Sequence, residues 1–250
     1  MIVPEIAGGA APELDDLRAA CDAAIDRLVT ARPDAILVLG SGPQTTDFGP
    51  SDYGTFAPYG LDLRVYLQQF TCASLPGLPL SLTVGAWLLN RRDVAGLRGG
   101  QAVAPDAPAA CRRLGRDLIR RHEQAPESRV ALLVMGDGSA CRGEKSPGYD
   151  DPRAQPYDDR VAAALAGADP DALLDLDPGL SAQLKVAGRA PWQVLAGAAE
   201  AVGGQWRGDL FYYAAPYGVA YFVATWEPGA VSVRSAAQWS PAVANERPAR

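Results

Sequence analysis

The chain has 250 residues, 48% of them hydrophobic, enough apolar material for one large core or two small ones and well above the size at which disulfides become necessary. Its 23 basic and 29 acidic residues leave a net charge of -6, which argues against a surface that tracks phosphates and so against nucleic acid as a partner. No stretch reaches the roughly 18 apolar residues that a membrane-spanning helix needs, so no membrane partner is expected, and "MIVPEIAGGAAPELDD" lacks the regions of a signal peptide.

The four cysteines, Cys21, Cys72, Cys111 and Cys141, are far apart and form neither a CxxC pair nor a zinc-ligand spacing. They predict reduced thiols in a cytoplasmic protein. Among the basic residues only Lys145 and Lys185 are lysine, which beside the abundance of Ala, Gly and Pro reads as coding bias. Arginine counts therefore carry little functional weight.

Over residues 12–31 the apolar positions Leu14, Leu17, Ala20, Cys21, Ala24, Ile25 and Leu28 recur three and four apart, which predicts an amphipathic helix ended by Pro33 and Asp34. "AILVLG" (35–40) is a short continuous apolar run with β-branched members, the pattern of a strand covered on both faces. A helix followed by a buried strand belongs to a layered α/β fold. Residues 41–60 follow as a long polar stretch with interspersed aromatics, more a site-forming loop than a linker. "PLSLTVGAWLLNRR" (79–92) fits a buried strand running into a helix, though its division is open.

Residues 107–124 predict a basic amphipathic helix, and "RVALLVMGD" a second buried strand with the loop "GDGSACRGEKSPGYDD" at its carboxyl end. Four short helices punctuated by Pro and Gly follow at 158–166, 170–176, 179–186 and 191–202. "DLFYYAAPYGVAYFVATWE" predicts two strands joined through 216–218. No repeat or domain-splitting linker interrupts the chain, so one domain over 1–240 with a polar tail at 241–250 is expected. The fold class is α/β: a single α/β/α domain around a central, mostly mixed sheet.

Sites of open α/β sheets form beyond the carboxyl ends of the strands. Two loops qualify, 41–60 and 136–156, and together they offer Asp47, Asp52, Tyr53, Asp137, Ser139, Cys141, Arg142, Glu144, Lys145, Tyr149, Asp150 and Asp151. "GDGSA" has neither a Walker lysine nor a GxGxxG to make it a nucleotide site. Cys141 has no histidine partner in its motif, so an inert thiol is the simpler reading. Lys145 beside Glu144 is most simply a surface ion pair, although a partly desolvated lysine can be catalytic. Asp150 and Asp151 before Pro152 resemble turn and cap residues. His122 is the sole histidine and sits at the end of an arginine-rich helix, where an imidazolium meets the helix dipole favourably. A histidine-based metal site or general base is thereby nearly excluded.

The order of these motifs, "VPEIAGG", a strand into "GSGPQ", a strand into "MGDGSA", "SPGYDDPRAQPYDDRVAAAL" and "YYAAPYGVAYFVA", resembles the class III extradiol ring-cleavage dioxygenase superfamily, in its small stand-alone bacterial subunit-B-like members. The resemblance extends over nearly the whole chain and implies an α/β/α fold, related also to the Memo proteins. In active relatives two histidines and a carboxylate hold ferrous iron. One family histidine precedes the "VPE" segment, a region in which Met1 stands here. The position of the second corresponds to Gln44 and that of a further one to Ala140, while Glu200 and Glu227 are weak candidates for the carboxylate.

The resemblance therefore implies a dioxygenase-like protein with a degenerate metal site, a pseudoenzyme binding a small polar or aromatic molecule at the strand-end loops. Its alternative is an active ring-cleavage dioxygenase or a metal-independent enzyme using the 137–151 loop. The residues expected to act are Asp137, Lys145 and Tyr149 in catalytic roles, with Gln44, Ser139, Cys141, Arg142 and Glu144 binding the ligand. No metal ligand is assigned and no cofactor is expected, save ferrous iron if the ancestral site persists. A small molecule is the expected partner, and the superfamily's paired subunits add a homo-oligomer or a second subunit.

Overall fold

A computed structural model describes residues 2–68, 77–122 and 129–229. Cys72 and the tail at 241–250 lie outside the described residues. The chain opens with a short helix α1 (Pro4–Ala7) and a 3-10 segment over Gly8–Leu14, and continues into α2 (Asp15–Thr30). Asp15 and Asp16 in the first turn of α2 and Arg27 in its last complement the helix dipole. Next come β1 (Ala35–Ser41), β2 (Thr46–Phe48), β3 (Tyr53–Thr55), β4 (Arg64–Tyr66) and α3 (Leu80–Asn90). β5 (Leu97–Val103), α4 (Pro108–His122) and β6 (Val130–Met135) complete the first half. The second half holds α5 (Ala154–Gly167), α6 (Pro170–Leu174), α7 (Pro178–Gln183) and α8 (Arg189–Val202). It closes with β7 (Trp206–Ala214) and β8 (Tyr221–Pro228), joined by a turn at Pro216–Gly218.

The central sheet has the order β2-β5-β1-β6. β1 pairs in parallel with β5 on one side and β6 on the other, and β2 joins β5 antiparallel, so the sheet is mixed. Alternation along β1 sorts the layers. Ile36 and Val38 face a core built with Ile25 of α2 and Leu82, Ala86 and Leu89 of α3. Leu37 and Leu39 face the opposite core with Cys111 and Leu118 of α4 and Ala190 and Val194 of α8. Helices cover both faces, which makes an α/β/α architecture. A further cluster packs α5, α6 and α8 against the β7–β8 hairpin around Val161, Leu173, Leu184 and Trp192.

Local chemistry explains most of the short helices. Asp169 and Asp177 each cap a helix that starts with proline, their carboxylates accepting from the N–H groups of Ala172 and Leu180. α4 and α8 meet backbone to backbone: a Cβ on Gly115 would stand 2.1 Å from the carbonyl oxygen of Val194, and one on Gly197 would stand 2.2 Å from that of Arg112. At the rim of this contact Glu200 accepts from Arg112 at 2.6 and 2.7 Å and from Arg116 at 3.2 Å.

Several expectations need correction. The 79–92 segment is a helix from Leu80 onward, not a strand entering a helix. The 41–60 stretch contains β2 and β3, because sheet edges supply partners that its residues do not advertise. β5 has no counterpart among the predicted elements. β6 is half-buried along its whole length rather than covered, since it ends the four-stranded sheet. His122 closes α4 as expected, and its side chain lies outside the described residues.

Candidate functional site

The loop after β6 folds largely onto itself. Asp158, fully buried on α5, accepts from the Ser139 N–H at 2.9 Å, the Ser139 hydroxyl at 2.5 Å and Arg142 at 3.2 Å. Arg142 also donates to the Tyr213 hydroxyl at 3.2 Å, and Tyr213 donates to Asp159 at 2.6 Å. This is a satisfied buried charge that fastens the loop to α5 and β7. Asp158 escaped sequence reasoning because "YDDR" inside a helix looks like an ordinary polar face.

Cys141 is buried, with its sulfur 3.5 Å from the carbonyl oxygens of Gly148 and Leu184. Burial first, and then the charge of Asp151, push its thiol pKa up, as an inert packed cysteine requires. Asp150 accepts from the Gly143 N–H at 2.9 Å. Asp151 pairs with Arg153, whose guanidinium and N–H hold the carboxylate down at about 2. Both hold turns, as their sequence indicates, but neither is the N-cap of α5, which is Arg153 and has no side-chain cap. Glu144, Lys145 and Gln44 are exposed, and Tyr149 stands 78% exposed on a left-handed backbone with φ 63. Lys145 and Glu144 form no ion pair with each other among the described residues. The structure thus gathers Ser139 and Arg142 around Asp158, packs Cys141 beneath them, and turns Gln44, Glu144, Lys145 and Tyr149 outward.

Asp137 is placed differently. Backbone bonds from Gly138 N–H to the Ala220 carbonyl and from Ala220 N–H to the Ser139 carbonyl, both 2.8 Å, stitch the end of β6 to the start of β8. Beyond that stitch the two strands part, and a cavity of about 530 Å³ opens between them beneath α2 and α3. Its walls are mainly apolar: Leu17, Cys21, Ala24 and Ile25 from α2, Val84 and Leu88 from α3, Leu133 and Met135 from β6, and Val223 and Ala224 from β8. Asp137, Ser41, Ser81 and Tyr221 supply the polar groups.

The Asp137 side chain is exposed to this cavity, yet protein surrounds it on most sides, and among the described residues no side chain donates to it. Desolvation raises its pKa to about 6. Tyr221 beside it is pushed up to about 12, by burial and then by the Asp137 charge, so its hydroxyl stays protonated. Cys21 in the wall is likewise raised to about 12, chiefly by burial. The arrangement is an apolar chamber with one titratable carboxyl, suited to a molecule with an apolar body and a hydrogen-bond donor.

The donor set does not fit a ferrous ion. Among the described residues no three His, Cys, Asp or Glu side chains come together to hold a metal. Glu200 is occupied by Arg112 and Arg116, and Glu227, at the carboxyl end of β8, pairs with Arg27 at 2.5 Å. Neither faces the cavity containing Asp137.

No family model matches the chain, and no curated protein matches it. Among solved structures, the uncharacterized protein JW3007 from Escherichia coli K12 is similar, with a TM-score of 0.53 and 14% sequence identity over 83% of this chain and 92% of that one. At that identity the likeness carries the α/β fold and no activity.

Proposed function

We propose that this chain is a small-molecule-binding protein of the class III extradiol dioxygenase type with a degenerate metal site. Its ligand has an apolar or aromatic body that sits between β6 and β8. The observation that carries the reading is the apolar chamber of about 530 Å³ with Asp137 at its polar end. A volume of this size is typical of ligand sites, and apolar walls with a few polar groups are their usual composition. The lack of a converging metal-ligand set among the described residues supports binding over iron-dependent ring cleavage. The acidic net charge disfavours a nucleic-acid partner, and no described helix is long and apolar enough to cross a membrane.

A second reading has one observation in its favour. A carboxyl at about 6 is matched to proton transfer near neutral pH, so a metal-independent enzyme using Asp137 as its base is the alternative.

Fluorescence titration with N-phenyl-1-naphthylamine, a neutral apolar probe, tests the binding reading. Saturable binding with one probe per chain is expected, and Ala24→Phe, which projects a ring from α2 into the chamber, should abolish it while preserving the helical circular dichroism. Absence of saturable binding, or binding indifferent to Ala24→Phe, would remove the chamber as the ligand site.

A further inference from the structure

Among the described residues, Asp137 is the one member of the chamber wall whose side chain can carry a negative charge near neutral pH, and no lysine or arginine lines the chamber. Its backbone is fixed on both sides: the Asp137 carbonyl accepts from the Gly188 N–H, and the following Gly138 N–H donates to the Ala220 carbonyl, each at 2.8 Å. The carboxyl is thereby held at the polar end of the chamber. The elements packed around it bring no counter-charge. Cys21 of α2 and Tyr221 of β8 have pKa values pushed up to about 12, chiefly by burial, and both stay neutral. Ser81, Val84 and Leu88 of α3 and Leu133 and Met135 of β6 do not ionise. Arg142 donates to Asp158 at 3.2 Å and Arg189 to the Gln193 amide at 2.7 Å, so each of these guanidiniums has an acceptor of its own. The charge of the amino terminus draws Asp137 toward its ionised form, but less than desolvation opposes it.

This geometry couples the carboxyl to whatever fills the chamber. Protein surrounds Asp137 on most sides, and its exposed part opens into the chamber. Hydration of the carboxylate therefore runs through the same space that an apolar body would occupy. A ligand lodged there replaces water by hydrocarbon beside an unpaired charge, and a carboxylate stripped of water with no cation at hand takes a proton instead. A neutral hydrogen-bond donor on the ligand satisfies one oxygen and leaves the charge in place. The proton is within reach near neutral pH, because the carboxyl already titrates at about 6 with the chamber open.

We propose that the chamber binds its ligand together with a proton taken up by Asp137, so that an apolar neutral ligand is held in mildly acidic solution and released as the pH rises. The proposal rests on the chamber being a ligand site and adds control of its occupancy. The sign follows from linkage: filling the chamber raises the carboxyl's pKa further, so the bound state carries the extra proton and loses ground wherever the free protein is ionised.

Fluorescence titration of the full chain with N-phenyl-1-naphthylamine, which is uncharged at both values, at about pH 5 and about pH 7.5 tests the coupling. One proton per ligand raises the Kd about tenfold per pH unit above the carboxyl's pKa of about 6, so the probe should bind at least about threefold and up to about thirtyfold more weakly at the higher pH. Phenol red in unbuffered solution at about pH 7.5 should report close to one proton taken up per probe bound. Asp137→Asn, which has the shape of the protonated acid, should bind the probe without this pH dependence and more tightly than the wild type at about pH 7.5. A wild-type Kd that changes by less than about threefold, binding without proton uptake, or a pH dependence that survives in Asp137→Asn overturns the coupling and leaves the chamber standing as a ligand site. Absence of binding at both pH values overturns the chamber and the coupling together. Should Asp137→Asn fail to fold, the wild-type Kd ratio and the proton count decide.

Discussion

Replacing Asp137 by asparagine measures how dry the polar end of the chamber is. Desolvation lifts this carboxyl from 3.8 to about 6 in the folded chain. A group with a higher pKa folded than unfolded favours folding while protonated and opposes it once ionised. Its contribution is therefore complete below about 3.8 and lost as the pH rises through about 6. The full shift of roughly two units corresponds to about 3 kcal/mol at about 1.36 kcal/mol per unit. Because the side chain is open to water in the chamber, screening reduces this to about 1 kcal/mol. Asp137→Asn should accordingly be more stable than the wild type by about 1 kcal/mol at about pH 7.5 and indistinguishable from it at about pH 4. Urea denaturation followed by tryptophan fluorescence across this range reads the difference directly. A stability difference that does not change with pH would refute desolvation as the cause, and a variant less stable at high pH would mean that the carboxylate has a cationic partner.

Asp158→Ala leaves the buried Ser139 donors and Arg142 without their acceptor and should cost about 3–5 kcal/mol in chemical denaturation, with Asp158→Asn costing less. Gly197→Ala forces a Cβ against the Arg112 carbonyl and should cost about 1–3 kcal/mol, whereas Gly167→Ala at the end of α5 meets nothing within 4 Å and should be neutral within about 0.5 kcal/mol; thermal melting compares the two. In a Cys21→Ser, Cys72→Ser background the buried thiols of Cys111 and Cys141, both raised by burial, should react with Ellman's reagent at about pH 8 only on unfolding. A fast native phase would contradict their placement.

Much of the fold was legible where burial and composition agree. β1 reads directly from "AILVLG", because both its faces are covered and every position can be apolar. The hairpin of β7 and β8 reads from its alternation and its Pro-Tyr-Gly turn. β5 did not read, because "LRGGQAV" lacks β-forming residues over its first half. Its strand character comes from pairing with β1 and β2, and a Cβ on Gly100 would stand 3.1 Å from Leu67. α3 was ambiguous because it is apolar nearly all round, which erases the period that separates helix from strand.

At the site, Asp137 could be picked out as a carboxyl following a strand, but its role could not be separated from that of Lys145 or Tyr149. That separation depends on where β8 passes, a long-range fact.

The glycine contact between α4 and α8 bears on timing. With backbone against backbone at Gly115 and Gly197, α8 cannot roll or slide on α4 without a steric clash, and the segment leading into α8 lines the chamber at Ala187. A ligand entering the chamber then meets a wall whose supporting helix is already locked against its neighbour. Capture should be second order, with a rate rising linearly in ligand concentration rather than levelling off at an isomerisation step, and differences in affinity among ligands should be expressed in how long each stays.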